Sequence, residues 1–353
     1  MKRKTQPLLA AALCLFLLET TQAQEHGSFS LGTLEAHPGQ MVSGFLSVPA
    51  GVDGGTEIPV TVIHGQQAGP VLALIAGTHG YEYPPITALQ RVRRELDPRE
   101  LSGTAVLVHV ANMPSFLGRT IYYSPIDGKN LNRAYPGKVD GTVTERIAYA
   151  ITTQVIESAD YVVDLHGGDG NEALRPYLYM PVTGKAELDS AVRNMALAFG
   201  LDHIVIDEGR LADPDESIYT DQTALTRGKP AITTETGQLG SNDGRWVEMA
   251  VNGVWNLLRH LEMVEGDVAV VPEIVWLVDY EVLRSPATGM FEARVRDGYT
   301  VAAGGLIGVL VDLFGDPIEN IRAPFAGVVN YVLGTPPVSE GEPLAMVSKI
   351  KNQ

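Results

Sequence analysis

The sequence predicts an α/β fold, a mixed and largely parallel sheet flanked by helices, followed by a small all-β unit. Two patterns support this prediction. Through most of the chain, short apolar runs alternate with segments of helical periodicity, as in sheets that helices cover on both faces. From about Val270, short strands separated by Gly and Pro replace that alternation, and no long helical period remains.

The elements of the first part follow in order along the chain. Apolar runs predict strands at 71–76, 105–110, 161–165, 204–206 and 231–234, and helices are predicted over 85–96, 187–199 and 246–260. A further helix begins at Thr142, because Thr142 and Glu145 are spaced as a capping box and apolar residues recur at every fourth position after them.

The C-terminal unit contains an internal repeat. Pro286 and Gly289 in its first half are echoed by Pro324 and Gly327 in its second half. The pattern resembles the biotinyl/lipoyl-like β-sandwich, in which two similar halves pack as hairpins. Carrier versions need a lysine at the exposed turn, and none occurs between Pro286 and Pro324. We therefore interpret the unit as structural or substrate-shaping and expect no covalent cofactor on it.

Residues 1–23 are predicted to be a signal peptide. Lys2, Arg3 and Lys4 precede an apolar run at 8–18, and Thr21-Gln22-Ala23 supplies small residues for cleavage before Gln24. The alternative is an uncleaved N-terminal anchor. We expect an exported protein, periplasmic or secreted, with a catalytic domain over 24–265 and a β domain over 270–353.

Composition narrows the classes of partner and site. Without residues 1–23 the chain has 23 basic and 41 acidic side chains, a net charge of −18, which disfavours binding to nucleic acid or anionic lipid. We expect a small anionic substrate and no membrane insertion after signal removal. Cys14 is the only cysteine, so the mature chain can form neither disulfides nor Cys-ligated zinc. The oligomeric state is not predicted.

Four polar segments each follow a predicted strand directly, at 77–82, 112–114, 164–168 and 234–237. Ligands bind at the carboxyl ends of parallel strands, so these segments are expected to share one crevice. The candidate site residues in them are His79, Glu82, His166 and Glu235. Two imidazoles and one carboxylate leave a fourth position open for water, as in catalytic zinc sites. His109, within a strand, is the alternative ligand to His166.

A second set of polar residues lies in a turn-rich segment at 127–137. Arg133 follows Asn132 there, and a guanidinium fork matches a carboxylate with two hydrogen bonds while the amide adds a donor. The pair is therefore a candidate anion clamp; the alternative is an ordinary surface loop.

Taken together, these motifs resemble a known family. His79-x-x-Glu82, Asn130-Leu-Asn132-Arg133, Asp164-Leu-His166-Gly-Gly and the segment around Glu235 occur in the order found in zinc carboxypeptidase-like hydrolases. The sequence is most similar to the succinylglutamate desuccinylase/aspartoacylase branch, from about Gly39 to the C-terminal end. The resemblance implies His79, Glu82 and His166 as ligands of one Zn²⁺ per chain, Asn132 and Arg133 as the substrate-carboxylate clamp, and Glu235 as the catalytic carboxylate.

Two positions depart from the family pattern or match it ambiguously. Arg119 is placed like an arginine that polarises the scissile carbonyl, although Ile121 could occupy the equivalent position. Asn130 stands where many relatives carry Asp, which would make it a weaker partner for a metal-ligating histidine. Asp164 is the alternative residue for that role.

The resemblance implies a hydrolase in which metal-activated water cleaves an amide or ester bond of a carboxylate-bearing substrate such as an N-acyl amino acid. Glu235 would accept the proton of the water and pass it to the leaving amine. One alternative is a zinc carboxypeptidase acting on extracytoplasmic peptides. The other is a binding protein without activity, which the presence of all four site segments argues against.

Overall fold

The computed structural model describes residues 26–208 and 213–351, and a sheet of thirteen strands forms its centre. The predicted signal peptide, with Cys14 and the cleavage position before Gln24, lies outside the described residues. None of the helices in the described ranges is long and apolar enough to span a membrane.

The first part of the chain supplies eleven strands and all the α-helices of the described residues. The strands are β1 (Phe29–Leu31), β2 (Leu34–Ala36), β3 (Gln40–Val48), β4 (Thr56–His64), β5 (Gln67–Ala76), β6 (Ser102–Val108), β7 (Tyr161–His166), β8 (Glu172–Leu174), β9 (Tyr177–Pro181), β10 (His203–Asp207) and β11 (Ala231–Glu235). The helices are α1 (Tyr83–Glu95), α2 (Met113–Gly118), α3 (Val143–Ala150), α4 (Ala186–Phe199), α5 (Thr220–Thr226) and α6 (Gly244–His260).

Short helices of other types complete this part. They are 3-10 turns at Leu131–Arg133 and Pro214–Glu216 and a π-helix at Ile151–Ile156, which continues α3. The predicted capping box is confirmed at the start of α3, where the Thr142 backbone N–H donates to the Glu145 carboxylate over 2.9 Å.

The second part adds eight strands and no helix within the described residues. They are β12 (Val275–Arg284), β13 (Gly289–Ala293), β14 (Thr300–Val301), β15 (Leu306–Val311), β16 (Pro317–Arg322), β17 (Gly327–Leu333), β18 (Pro337–Val338) and β19 (Pro343–Ile350). Half of them form a four-stranded sheet in the order β16-β15-β13-β18, and the others extend the large sheet. The antiparallel β region is as predicted, and its likeness to a biotinyl/lipoyl sandwich stays a prediction.

The repeated glycines of this part have a packing role. A Cβ on Gly289 would lie 2.4 Å from the Val311 carbonyl oxygen, and one on Gly327 would lie 2.2 Å from that of Ser348. Both glycines begin a strand whose neighbour passes too close for a side chain. The repeat in the sequence therefore marks two equivalent close approaches of backbone.

The large sheet is mixed, in the order β14-β17-β19-β12-β10-β9-β11-β7-β5-β6-β4-β3, and β8 pairs with β17. Strands β6, β5, β7 and β11 run parallel to one another. Their apolar side chains are almost completely buried, as expected when helices cover both faces. The carboxyl ends of β5, β7 and β11 therefore meet at one edge.

All the strands and helices predicted from apolar runs are present, within a few residues of the predicted bounds. Sequence patterns missed β9, a five-residue strand that ends in Pro181, and α5, a seven-residue helix with a mostly polar sequence. Both are too short to show a period. Strand β9 bears on the site because it pairs with β11 on the side away from β7.

A buried arginine ties α3 to the segment after β3. The Arg146 guanidinium donates to the Asp53 carboxylate over 2.8 Å and to the backbone carbonyls of Pro49, Gly54 and Gly141. Its side chain is only 6% exposed. The charge is therefore fully partnered, and its removal would leave the Asp53 carboxylate and three carbonyls without their donor.

We expect Arg146→Ala to lower the free energy of unfolding by about 3–5 kcal/mol, because it breaks a buried ion pair from one side. The control is Arg99→Ala, which removes an exposed ion pair with Asp97 and should change stability by less than about 0.5 kcal/mol. Urea unfolding followed by circular dichroism measures both. Equal effects of the two substitutions would show that the Arg146 contacts contribute little.

Candidate metal centre and substrate cavity

Two neighbouring strand ends bring a carboxylate between two imidazoles. His79 and Glu82 lie in the turn after β5, and His166 is the last residue of β7. The Glu82 carboxylate oxygens lie 2.7 Å from His79 Nδ1 and 2.8 Å from His166 Nδ1. All three side chains are buried, and one ligand atom from each lies within 4.8 Å of the others. The structure therefore groups the three predicted metal ligands.

The outer nitrogen of each imidazole is fixed by a hydrogen-bond acceptor. His79 Nε2 lies 3.1 Å from Asn130 Oδ1, an oxygen that also accepts the Asn132 backbone N–H over 2.8 Å. His166 Nε2 lies 2.9 Å from the Asp164 carboxylate. Each Nε2 is therefore directed at an acceptor, which leaves Nδ1 as the nitrogen that each imidazole turns toward Glu82. Burial lowers the pKa of both imidazoles, but the adjoining carboxylates outweigh it and raise the pKa above the ordinary value, most strongly for His166.

These donors fit a divalent metal ion. Two Nδ1 atoms face an anionic carboxylate at hydrogen-bond distance, an arrangement that needs a proton or a cation between each pair of atoms. Burial favours the neutral form of Glu82, but His166 and His79 outweigh it and hold its pKa at about 2. Two nitrogens and one oxygen, with space for water, are the donor set of catalytic zinc sites.

The glycines after His166 allow a close approach that this geometry requires. A Cβ on Gly167 would lie 2.4 Å from the Thr236 carbonyl oxygen. The Gly167 N–H also donates to Glu82 over 3.2 Å. The two glycines thus allow the segments after β7 and β11 to lie close together beside the cluster of His79, Glu82 and His166, called the metal cluster below.

His109, the alternative ligand, lies elsewhere. Its Nε2 is 2.8 Å from the Thr61 hydroxyl, and it follows β6 rather than β7. Burial, with a smaller contribution from Arg93, lowers its pKa to about 4. His109 is a neutral core residue outside the metal cluster.

Glu235 ends β11 directly beside His166, its register partner on β7. It lines a cavity of about 950 Å³ together with His79, Glu82 and His166. Burial raises the pKa of the Glu235 carboxyl well above its ordinary value, and the carboxylates of Glu82 and Glu172 add to the effect while His166 opposes it. A carboxyl group with a raised pKa next to a metal site can both accept and return a proton.

Asn132 and Arg133 line the same cavity. The Asn132 side-chain oxygen accepts the Thr220 backbone N–H over 3.2 Å. The Arg133 guanidinium lies 4.5 Å from the centre of the Tyr219 ring. The N-terminal end of helix α5 therefore contacts the segment of the predicted anion clamp.

Arg119 is not part of this cavity. It is an exposed residue that ends α2 in a left-handed conformation with φ of 50°. Neither Arg119 nor Ile121 lines the cavity, whereas Tyr122 does. The prediction that Arg119 polarises the scissile carbonyl therefore has no support from its position.

Sequence reasoning missed the contribution of the C-terminal strands. Alternate residues of β12, namely Tyr280, Val282 and Arg284, line the cavity, as do Tyr331 of β17 and Met346 of β19. Residues two apart on a strand point to the same face, which places these three side chains on one face of β12. The C-terminal part thus forms one wall of the cavity and supplies a second arginine, Arg284.

Comparisons with known proteins agree with this geometry. Residues 68–261, more than half of the chain, match the model of the succinylglutamate desuccinylase/aspartoacylase catalytic domain. A relative from Halomonas elongata, N-alpha-acetyl-L-2,4-diaminobutyric acid deacetylase, is 31% identical over 318 residues, which are 87% of this chain and 91% of the relative.

Solved structures give the same result. The product-bound ectoine utilization protein EutE (DoeB) from Ruegeria pomeroyi superimposes with a TM-score of 0.81 at 28% identity, over 92% of this chain and 100% of that protein. A succinylglutamate desuccinylase/aspartoacylase from Rhodobacter sphaeroides has a TM-score of 0.78 at 26% identity, over 89% and 96% of the two chains.

We expect the wild-type protein to bind about one zinc ion per chain and His79→Ala or His166→Ala to lose it, because two remaining donors hold the metal poorly. His109→Ala is the matched control, since it removes a buried imidazole outside the cluster. Elemental analysis of the purified variants is the measurement. Loss of zinc in His109→Ala with full zinc in His166→Ala would overturn the assignment.

Proposed function

The chain belongs to the succinylglutamate desuccinylase/aspartoacylase family, and we propose that it is a zinc-dependent deacylase that hydrolyses the amide bond of an N-acyl amino acid. One observation carries the proposal. The cluster of His79, Glu82 and His166 lies beside Glu235 in a cavity that also contains the guanidinium of Arg133.

The proposed roles follow from the chemistry of each group. A zinc ion held by His79, Glu82 and His166 would act as a Lewis acid and lower the pKa of a coordinated water to about 7. Asn130 and Asp164 keep the two imidazoles in the tautomer that presents Nδ1. Glu235 accepts the proton of the attacking water and returns it to the leaving amine, a role that its raised pKa favours.

Substrate orientation is assigned to Asn132 and Arg133. The guanidinium pairs with the free carboxylate of the amino-acid part, and the Asn132 amide adds a hydrogen bond. Stacking on Tyr219 limits the rotamers of Arg133, so that less conformational entropy is lost when a carboxylate binds. The scissile amide, next to this carboxylate, then lies toward the metal cluster.

Cavity shape favours a small substrate over a peptide. A volume of about 950 Å³ suits a single small molecule. Side chains of β12, β17 and β19 line one side of the cavity. The Halomonas relative is a deacetylase of an N-acetylated diamino acid, which is a substrate of this size.

We expect the zinc-loaded protein to hydrolyse N-acyl amino acids and Glu235→Gln to lose turnover by at least about a hundredfold while retaining zinc, because no proton acceptor remains.

Arg133→Ala should lose about 10- to 100-fold in kcat/KM on a free-acid substrate, the cost of one charge-assisted hydrogen-bond pair. Product amine is measured by chromatography.

The control for Arg133 is a substrate whose carboxylate is replaced by a carboxamide. Wild type should prefer the free acid, and Arg133→Ala should erase that preference by losing activity on the acid alone. Equal losses on both substrates would assign Arg133 a structural role. No hydrolysis of any N-acyl amino acid by the zinc-loaded protein would reject the proposed function.

We also propose that the protein is exported, on the basis of the basic and apolar pattern of residues 1–23. The expected result is a mature N-terminus at about Gln24 in the extracytoplasmic fraction of the producing cells. Mass spectrometry of the N-terminal peptide decides the matter, and an intact Met1 on cytoplasmic protein would contradict the proposal.

A further inference from the structure

A carboxylate that the proposed reaction does not use lies in the cavity near the metal cluster. Glu172 begins β8, six residues after His166, and lines the cavity. Its carboxylate accepts the Asp169 backbone N–H over 3.2 Å. Its neighbour Tyr122 packs edge-on against the His79 ring, with 5.7 Å between ring centres. The Tyr122 ring therefore lies between Glu172 and the candidate metal ligand His79.

Glu172 has no cationic partner at ion-pair distance among the described residues. None of the ion pairs within residues 26–208 and 213–351 includes it. Burial raises the pKa of Glu172, and the two charged groups that act on it most strongly, Glu82 and Asp169, are acidic and raise it further, to about 7. A carboxylate in such surroundings gains more than an exposed one from a cationic ligand.

The surroundings of Glu172 differ from those of the anion clamp. Arg133 and Asn132 contact Tyr219 and Thr220 at helix α5, whereas Glu172 contacts the turn after β7 and Tyr122. The cavity therefore offers one position for a negative group and another for a positive group. Tyr122, which lines the cavity beside Glu172, adds an aromatic ring that favours a cation. The guanidinium groups of Arg284 and Arg133 act instead on Tyr331.

We propose that Glu172 is a specificity-determining residue that binds an ammonium group of the substrate, so that the enzyme prefers N-acyl substrates carrying both a carboxylate and an ammonium. The proposal rests on the proposed deacylase function. It names the substrate class by its charges, with the carboxylate at Arg133 and the ammonium at Glu172.

The ammonium can stand on either side of the scissile amide. On the amine side it belongs to the side chain of a diamino acid, and on the acyl side it belongs to an aminoacyl group. Two pairs of substrates, each matched in shape, separate these sources. Nα-acetyl-2,4-diaminobutyrate is compared with Nα-acetylnorvaline, and glycylnorvaline with propionylnorvaline. Within each pair a methyl group replaces the ammonium, and nothing else changes.

The experiment measures kcat/KM of the zinc-loaded protein on all four substrates, for wild type, Glu172→Gln and Glu281→Gln. The control residue Glu281 lies on β12 between two cavity-lining residues and does not itself line the cavity. Its substitution changes the net charge equally. Wild type should prefer the ammonium substrate over its methyl analogue by about 10- to 100-fold in one pair. Glu172→Gln should remove that preference, and Glu281→Gln should keep it.

Each outcome distinguishes this proposal from the one on which it rests. Hydrolysis of the methyl analogues without any preference for an ammonium would overturn the role of Glu172 and leave the deacylase function standing. A preference that persists in Glu172→Gln would likewise overturn it. Failure to hydrolyse any of the four substrates would reject both proposals. A preference that is present in one pair and lost in Glu172→Gln supports the proposal and identifies the side of the amide on which the ammonium stands.

Discussion

The site depends on one interaction, the placement of the Glu82 carboxylate between the imidazoles of His79 and His166. These residues can meet because β5 and β7 are neighbouring parallel strands whose carboxyl ends lie at the same sheet edge. The contact requires burial of an ionised carboxylate, which costs several kcal/mol unless hydrogen bonds and opposite charge compensate it. The Gly167 N–H and the two imidazoles supply that compensation. The glycine turn, the strand register and the histidine partners all serve this placement.

The C-terminal strands turn an open sheet edge into a cavity. Strand β12 pairs with β10, and β17 and β19 extend the sheet from there, so the C-terminal part is hydrogen-bonded to the catalytic sheet. Its inward side chains then reach the same space as Glu235. The wall formed by the C-terminal strands limits the size of the cavity, and the proposed role of Glu172 adds a constraint on the charge of the substrate.

Sequence patterns predicted the candidate metal ligands better than they predicted the C-terminal strands that line the cavity. The metal ligands and Glu235 follow long apolar strands, and both the strands and the motif residues are visible in a single sequence. Strand β9 and helix α5 have too few residues for a period, so their places beside β11 and Arg133 come from tertiary packing alone. Arg119 was assigned to the scissile carbonyl from its likeness in placement to an arginine of the family, with Ile121 as the alternative. It lies at the left-handed end of α2 and does not line the cavity, so the assignment stays a prediction.

The number of carboxyl groups in the site also bears on position 130, which is an Asn. Five carboxyl groups surround the two imidazoles or line the adjoining cavity: Glu82, Asp164, Asp169, Glu172 and Glu235. Three of them, Asp169, Glu172 and Glu235, already have raised pKa values, because burial and their mutual repulsion disfavour ionisation. An Asp at position 130 would add a sixth carboxyl group to this set. The Asn130 oxygen makes the hydrogen bond that orients His79 without that charge, so it orients the imidazole and avoids repulsion that a bound cation would have to offset.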